Sequence, residues 1–245
     1  MSRSTQVRAL ARNDVRLVGR DRFVVGLGVY IVAMSLVLRF VLPGITESLM
    51  DGRGFDLTPY YSLLTSYVSV FLGGLLGGMV FGFTLLEARE DGTIRAVLVS
   101  PLPLERYVGY RIGAAYVFCA VIIPLQALLV GVAVPPAGAL VAISLVGALT
   151  GPAWAFINAT YADNKVSAFA LMKALGGSGL IVIGAFFLDE PLQLVAGIFP
   201  PYWVVKAYWV AVEGGPWWIY LGVGLAMLLG VVFFLSRRLV RVLHR

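Results

Sequence analysis

The chain has 245 residues, of which 60% are hydrophobic and 13% charged, with a formal net charge of +6 at pH 7. Soluble domains are about 45–50% apolar and about 25% charged, so this composition excludes a water-facing globule and predicts an all-α integral membrane protein. At roughly 20 residues per crossing, six helices use about half of the chain and leave little for a second domain.

Residues 1–22 carry Val7, Leu10, Ala11, Val15 and Val18 at helical spacing, with Arg8, Arg12, Arg16 and Arg20 following the other face. This predicts an amphipathic basic helix lying along the membrane surface; the same arginines also serve, without any helix, to orient the first span. The apolar run 23–42 is the first predicted span, with Arg39 near enough to its end to snorkel. It is too long, and lacks the A-x-A site, for a cleaved secretory signal.

Residues 43–59 hold Glu47, Asp51 and Asp56 among glycines and read as an aqueous loop. Residues 60–86 are free of charge and form the second predicted span, opened by Tyr60, Tyr61 and Tyr67 as an interfacial aromatic belt. The densest internal charge cluster follows at 87–111, and then no charge occurs from Ile112 to Ala162. Pro135-Pro136 divides that stretch into spans 112–134 and 137–162, because consecutive prolines end a helix. A fifth span, 166–188, bears Lys173 and the group Gly176-Gly177-Ser178-Gly179. The connection 189–215 is apolar but split by Pro200-Pro201 and bears Lys206, and 216–235 is the last span, followed by Arg237, Arg238, Arg241 and Arg245.

Charge placement decides whether residues 192–212 cross. With six spans, sixteen of the 19 basic residues and seven of the 13 acids fall on the side holding both termini, giving +9 there and −3 opposite. A seventh crossing would carry the arginine-rich tail outside. The positive-inside rule therefore predicts a multi-pass protein of the cell membrane with cytoplasmic termini, and 192–212 becomes an outer re-entrant or interfacial helical hairpin. The basic excess reflects topology and attraction to the lipid bilayer, so no nucleic-acid partner is expected.

Several chemistries lack their residues. Cys119 and His244 stand alone, so no disulfide framework or His/Cys metal site is expected within one chain, and no G-x-x-x-x-G-K-[ST] loop is present to cradle a nucleotide. No Asp or Glu lies deep in a predicted span to relay protons, and the cytoplasmic loops hold no paired-Asp or Asn/His cluster for a Mg²⁺-dependent lipid transferase. The chain is expected not to be an enzyme.

The run Glu87-Ala88-Arg89-Glu90-Asp91-Gly92-Thr93 begins at the cytoplasmic end of span two. Gly92 permits a sharp turn, Ile94, Val97 and Leu98 supply an apolar stripe for a short helix, and Ser100-Pro101 ends it. Such a helix between charged flanks suits docking of a cytoplasmic partner; the pattern alone fits an ordinary topogenic loop equally well. The run resembles the E-R-E-x-G-T…L-x-x-[ST]-P motif of ABC-2 type permeases, the membrane subunits of bacterial drug, antibiotic and polysaccharide exporters. Arg89, Glu90, Gly92, Thr93, Leu98, Ser100 and Pro101 match, while Ala88 displaces Glu87 from the pattern. The layout resembles the family along the whole chain, and the short format is most similar to its small drug-export permeases, including those described for fluoroquinolone export.

The resemblance implies a coupling helix that contacts a separate ATPase subunit, with Glu87, Arg89, Glu90, Asp91, Gly92, Thr93, Ile94, Leu98 and Pro101 as the coupling residues. It also implies two ATPase copies, a second permease subunit completing a homodimer, and an amphipathic small-molecule substrate moved outward. This chain itself would bind no cofactor; ATP and Mg belong to the partner.

The path is less legible. Span two places Thr65, Ser66, Tyr67 and Ser69 in its outer half, then Gly73, Gly74, Gly77, Gly78 and Gly82 at G-x-x-x-G spacings. These let helices approach closely, or let the helix flex and line a pathway. Gly176, Gly177 and Gly179 invite the same two readings, and the resemblance favours spans two and five as cavity walls, which gives Thr65, Ser66, Tyr67, Ser69, Gly73, Gly77, Gly177 and Ser178 as the candidate path. Gln126, Asn158, Thr160 and Tyr161 are expected to make interhelical hydrogen bonds, and Pro124 and Pro152 to kink their helices. A secondary drug transporter, or a non-transporting scaffold that recruits a partner through the charged loop, are the alternative functions.

Overall fold

The computed structural model describes residues 22–91 and 104–243, and every regular element among them is helical. Six segments are long and apolar enough to cross a membrane: Val25–Arg53, Thr58–Ala88, Arg106–Val130, Ala137–Tyr161, Lys165–Phe186 and Trp217–Leu239. The expected interfacial helix of residues 1–22 falls, but for its last residue, outside the described residues, as does the coupling helix.

The first helix, α1 (Arg22–Arg53), runs through Pro43 into the stretch expected to be an aqueous loop. Proline removes the donor to one carbonyl four residues back, and hydroxyls nearby hold the following turn: Thr46 donates to Leu42 O at 2.9 Å and Ser48 to Gly44 O at 2.9 Å. Thr46 also shares a 2.6 Å hydrogen bond with the Tyr61 hydroxyl, tying α1 to the second span. Arg39 does more than snorkel: its guanidinium donates to Leu129 O at 3.3 Å, satisfying a carbonyl in the last turn of the third span.

The second span is continuous but changes winding. A 3₁₀ turn (Thr58–Tyr60) leads into α2 (Tyr61–Ser66), a π turn (Tyr67–Leu72) and α3 (Gly73–Glu90). Asp56 accepts from Thr58 N at 2.8 Å, and the Thr58 hydroxyl and amide hold its carboxyl below the ordinary value. The third span, α4 (Leu104–Val130), starts well before residue 112 because Tyr107 and Val108 are buried against Leu85, Ala88, Phe156 and Leu239.

A turn at 131–136 leads into the fourth span, which is two helices, α5 (Ala137–Gly147) and α6 (Thr150–Tyr161). The break precedes Pro152, which has no N–H to offer the carbonyl of Ala148; Gly151 N bonds that carbonyl instead, at 3.2 Å. Pro124, by contrast, sits inside an uninterrupted α4. The fifth span, α7 (Lys165–Gly177) and α8 (Gly179–Phe186), starts with a capping box: Asn164 Oδ1 accepts from Ser167 N and Ser167 Oγ from Asn164 N. A 3₁₀ segment (Leu192–Ile198) and α9 (Pro200–Val212) connect to the last helix, α10 (Trp217–Leu243).

The core lies between the second and fourth spans. About 72% and 67% of their most apolar stretches are buried, against 17–28% in the other four. Glycine makes this possible on two faces. A Cβ at Gly73 or Gly77 would sit 2.6 Å from Gln126 Oε1 or 2.3 Å from Cys119 Sγ, so this stripe receives the third span. A Cβ at Gly78 would lie 2.3 Å from Trp154 Cβ and 2.9 Å from Gly151 O, so the adjacent stripe of Gly74, Gly78 and Gly82 receives the fourth. In lipid, where apolar surface gains nothing by leaving solvent, such close approach is what holds helices together. Helix α9 is embedded in this bundle, with Tyr202, Val204, Val205, Ala207 and Tyr208 fully buried.

Candidate functional site

Three acidic residues gather where the second span ends. Asp91 caps α3, its N–H bonding to Glu87 O at 2.8 Å, and the side chains of Glu90 and Asp91 are exposed. Glu87 reaches Lys165 Nζ at 2.7 Å, joining this end of span two to the start of span five. Carboxylates are unfavourable at a helix C-terminus, where the dipole is negative, and a cation is unfavourable at an N-terminus. The Glu87–Lys165 pair compensates each of its members. Glu90 and Asp91 make no contact ion pair among the described residues and feel the Lys165 charge only at longer range, so they form an exposed anionic end.

Of the other expected coupling residues, Arg89 lies in α3, and Gly92, Thr93, Ile94, Leu98 and Pro101 lie outside the described residues.

The candidate path residues are brought together, but within packed protein. Thr65, Ser66 and Ser69 are fully buried. Thr65 donates to Val132 O at 3.0 Å, Ser69 donates to Thr65 O at 2.6 Å, and Ser66 accepts from Trp209 Nε1 at 2.8 Å while donating to Leu63 O at 3.0 Å. Tyr67 stacks on Phe71, ring centroids 5.2 Å apart, and both crowd Gly179, where a Cβ would come within 2.8 Å of either ring. The π turn of span two thus meets the break in span five. Gly73 and Gly77 serve close helix packing, while Gly177 is exposed with open space beside it and the Ser178 hydroxyl bonds back to Leu175 O.

The interhelical hydrogen bonds expected of the other polar groups are not formed. Gln126 Oε1, Thr160 Oγ1 and both amide atoms of Asn158 are buried without a hydrogen-bond partner among the described residues, and Tyr161 stacks instead against Arg238. Asn158 packs against Gly82, where a Cβ would lie 2.8 Å from its own, and its amide finds no donor or acceptor among the described residues.

A polar group at the opposite end from the acidic cluster escaped the sequence reading. Lys206 on α9, its side chain only 12% exposed, lies 3.2 Å from Glu190 Oε1, donates to Gln193 Oε1 and sits 5.4 Å over the Tyr220 ring. Gln193 Nε2 donates to Ala185 O at 2.9 Å and Tyr220 Oη to Glu190 at 3.3 Å, so one ammonium ties the 3₁₀ segment, α9 and the last span together. The signal was a single lysine in an apolar helix, which has to find a carboxylate or leave the hydrocarbon.

No cluster of three or more His, Cys, Asp or Glu side chains that could hold a metal occurs among the described residues. Cys119 is buried against Gly77 and Gly151 and acts as a small apolar residue.

Residues 14–236 match the family model described as fluoroquinolones export permease protein Rv2686c-like. Two curated relatives from Mycobacterium tuberculosis are each 31% identical over 235 residues, covering 94% of this chain and 92% of the relative. They are the fluoroquinolones export permease proteins MT2760 of strain CDC 1551 / Oshkosh and Rv2686c of strain ATCC 25618 / H37Rv. No solved structure matches. A family match across nearly the whole length, on a helical chain with six potential membrane crossings, makes this protein a membrane permease belonging to the Rv2686c-like fluoroquinolone export permease family.

Proposed function

We propose that this chain is the transmembrane subunit of an ABC exporter, moving an amphipathic compound of the drug or antibiotic class outward with ATP hydrolysed by a separate subunit. The relatives' names supply the compound class. The observation that carries the coupling is the exposed Glu90–Asp91 end of the second span, an anionic surface at the wrong pole of its helix. A basic or hydrogen-bond-donating partner surface removes that penalty. The acids also stand at the end of the most deeply buried span among the described residues, so a push there reaches the π turn and, through Ser66 and Trp209, the embedded α9.

In this reading two permease copies and two ATPases assemble in the cell membrane with the termini in the cytoplasm. ATP and Mg sit on the ATPases, whose closure must favour one permease conformation over the other to shift access. The test is export from proteoliposomes, or uptake into inverted vesicles, with a candidate ATPase subunit co-reconstituted. Glu90→Ala with Asp91→Ala is expected to cut ATP-driven transport at least tenfold while leaving folding intact. Unchanged transport overturns the coupling role. Flux driven by an ion gradient without any ATPase would make the chain a secondary transporter, and partner recruitment without flux would make it a scaffold.

A further inference from the structure

We propose that the groove between the fifth and last spans binds an acidic phospholipid, with one acyl chain along the groove and its phosphate on Arg238. The site needs no assumption about cargo, ATPase or which face is cytoplasmic. The fifth and last spans both pack on α6, the second half of the fourth span, and make few contacts with each other. They leave an open groove of about 620 Å³ lined by Ile157, Tyr161, Leu171, Met227, Gly230 and Phe234. Its only polar lining group among these is the Tyr161 phenol. Tyr161, Gly230 and Phe234 are exposed on its rim, and on a spanning helix pair that exposure faces hydrocarbon.

The dimensions suit a lipid tail. Met227 and Arg238 lie about 16 Å apart along α10 at 1.5 Å per residue, and half of the hydrocarbon layer is about 15 Å thick. A chain entering at the level of Arg238 therefore reaches the bilayer midplane at the groove's far end. Arg238 follows Phe234 by four residues, which puts it on the groove face of the helix. Its Cζ lies 4.8 Å over the Tyr161 ring, so the guanidinium is held against that ring at the mouth.

Charge selects the headgroup. Among the described residues no carboxylate pairs with Arg238, and the cation that opens the fifth span, Lys165, is already paired with Glu87. A planar, undischarged guanidinium suits a phosphate oxygen pair, and its aromatic platform costs it none of its N–H donors. A zwitterionic lipid offers the same phosphate with a compensating ammonium, so the acidic lipid is favoured.

The test is native mass spectrometry of the full-length protein in detergent after equilibration with equal amounts of phosphatidylglycerol and phosphatidylcholine. The wild type is expected to retain phosphatidylglycerol in about fivefold excess, the effect of one basic residue on one acidic lipid. Arg238→Gln brings the ratio close to one, Arg238→Lys keeps most of the excess, and Arg237→Gln, whose guanidinium lies over Phe233, leaves it unchanged. Gly230→Phe removes adducts of both lipids; a Cβ there has open space around it, so the ring extends into the groove, and an unchanged melting midpoint checks that the fold is kept. Equal retention of the two lipids by the wild type, or equal losses in the Arg237→Gln and Arg238→Gln variants, overturns the proposal. So does a Gly230→Phe variant that loses a dimer mass rather than lipid, which would make the groove's occupant a second copy.

Discussion

Gly26, Gly28 and Gly44 of the first span have nothing within 4 Å of where a Cβ would stand, whereas Gly74, Gly78 and Gly82 of the second would drive a Cβ into Thr150, Trp154 or Asn158. Both spans are apolar and glycine-bearing, and the same residue type does opposite things in them. In the second span glycine removes side chains so that two neighbouring backbones can approach. In the first it leaves an open face, on which Val29, Phe40 and Val41 also stand exposed. The difference shows that small residues in a membrane helix define where a neighbour could come close, and only the neighbour's presence converts that into stability.

The largest expected effect is at the crowded interface. Gly78→Ala should destabilise the protein by about 1–3 kcal/mol, because Gly151 O is backbone and cannot swing away, and Gly78→Leu should prevent accumulation of folded protein. Thermal unfolding in detergent, followed by tryptophan fluorescence, measures the first. An unchanged midpoint for Gly78→Ala would mean that the second and fourth spans are further apart than described.

Lys206→Met comes next, at about 1–2 kcal/mol. It strips the ammonium from Gln193 and Glu190, and the cost is moderated because Glu190 is about half exposed and can turn to water. Glu190→Gln should cost less than Lys206→Met in the same assay; the reverse order would remove Lys206 from the centre of that network.

Gly28→Ala is expected to change monomer stability by less than about 1 kcal/mol, in the stabilising direction, since a helix-interior glycine is entropically costly and the space is empty. If cross-linking of the assembled permease falls while monomer stability holds, the open face of the first span is covered by another subunit.

The smallest effect concerns Asp56. Its carboxyl is held below the ordinary value by Thr58, so the small stability it contributes is present above the unfolded carboxylate range and is lost as pH falls through its folded value. Asp56→Asn should lower the neutral melting midpoint slightly and flatten the acid limb in a pH series, because the amide has no charge to lose.

Much of the fold could be read along the chain, because charge-free runs bounded by charge have few solutions in hydrocarbon. The doubled prolines at 135 and 136 placed the turn between the third and fourth spans where the structure has it. Helix ends were harder to read. Pro43 and the acids after it look like loop, yet hydroxyls at 46 and 48 and the Tyr61 contact sustain the helix. Charges in 104–111 look like loop, yet Tyr107 and Val108 find a buried surface that exists only after folding.

The site was legible in part. The acidic end of span two was visible as a motif. The polar residues of span two read as a lining, while the structure spends them on Val132, Leu63 and Trp209, partners remote in sequence or unmarked by any pattern. The Lys206 network joins residues 190, 193, 206 and 220 across three elements, which no local spacing announces.

Composition and charge order alone determined that this is a six-span helical membrane protein, because an apolar run of that length has to satisfy its backbone within itself wherever water is absent. Only the tertiary structure decided which glycines are contacts and which are open, that α9 is embedded among the spans, and that Arg238 lies over Tyr161 at the mouth of a groove. Those facts depend on which helix stands beside which, and hydrophobic patterning, being the same on every lipid-compatible face, does not encode the neighbour.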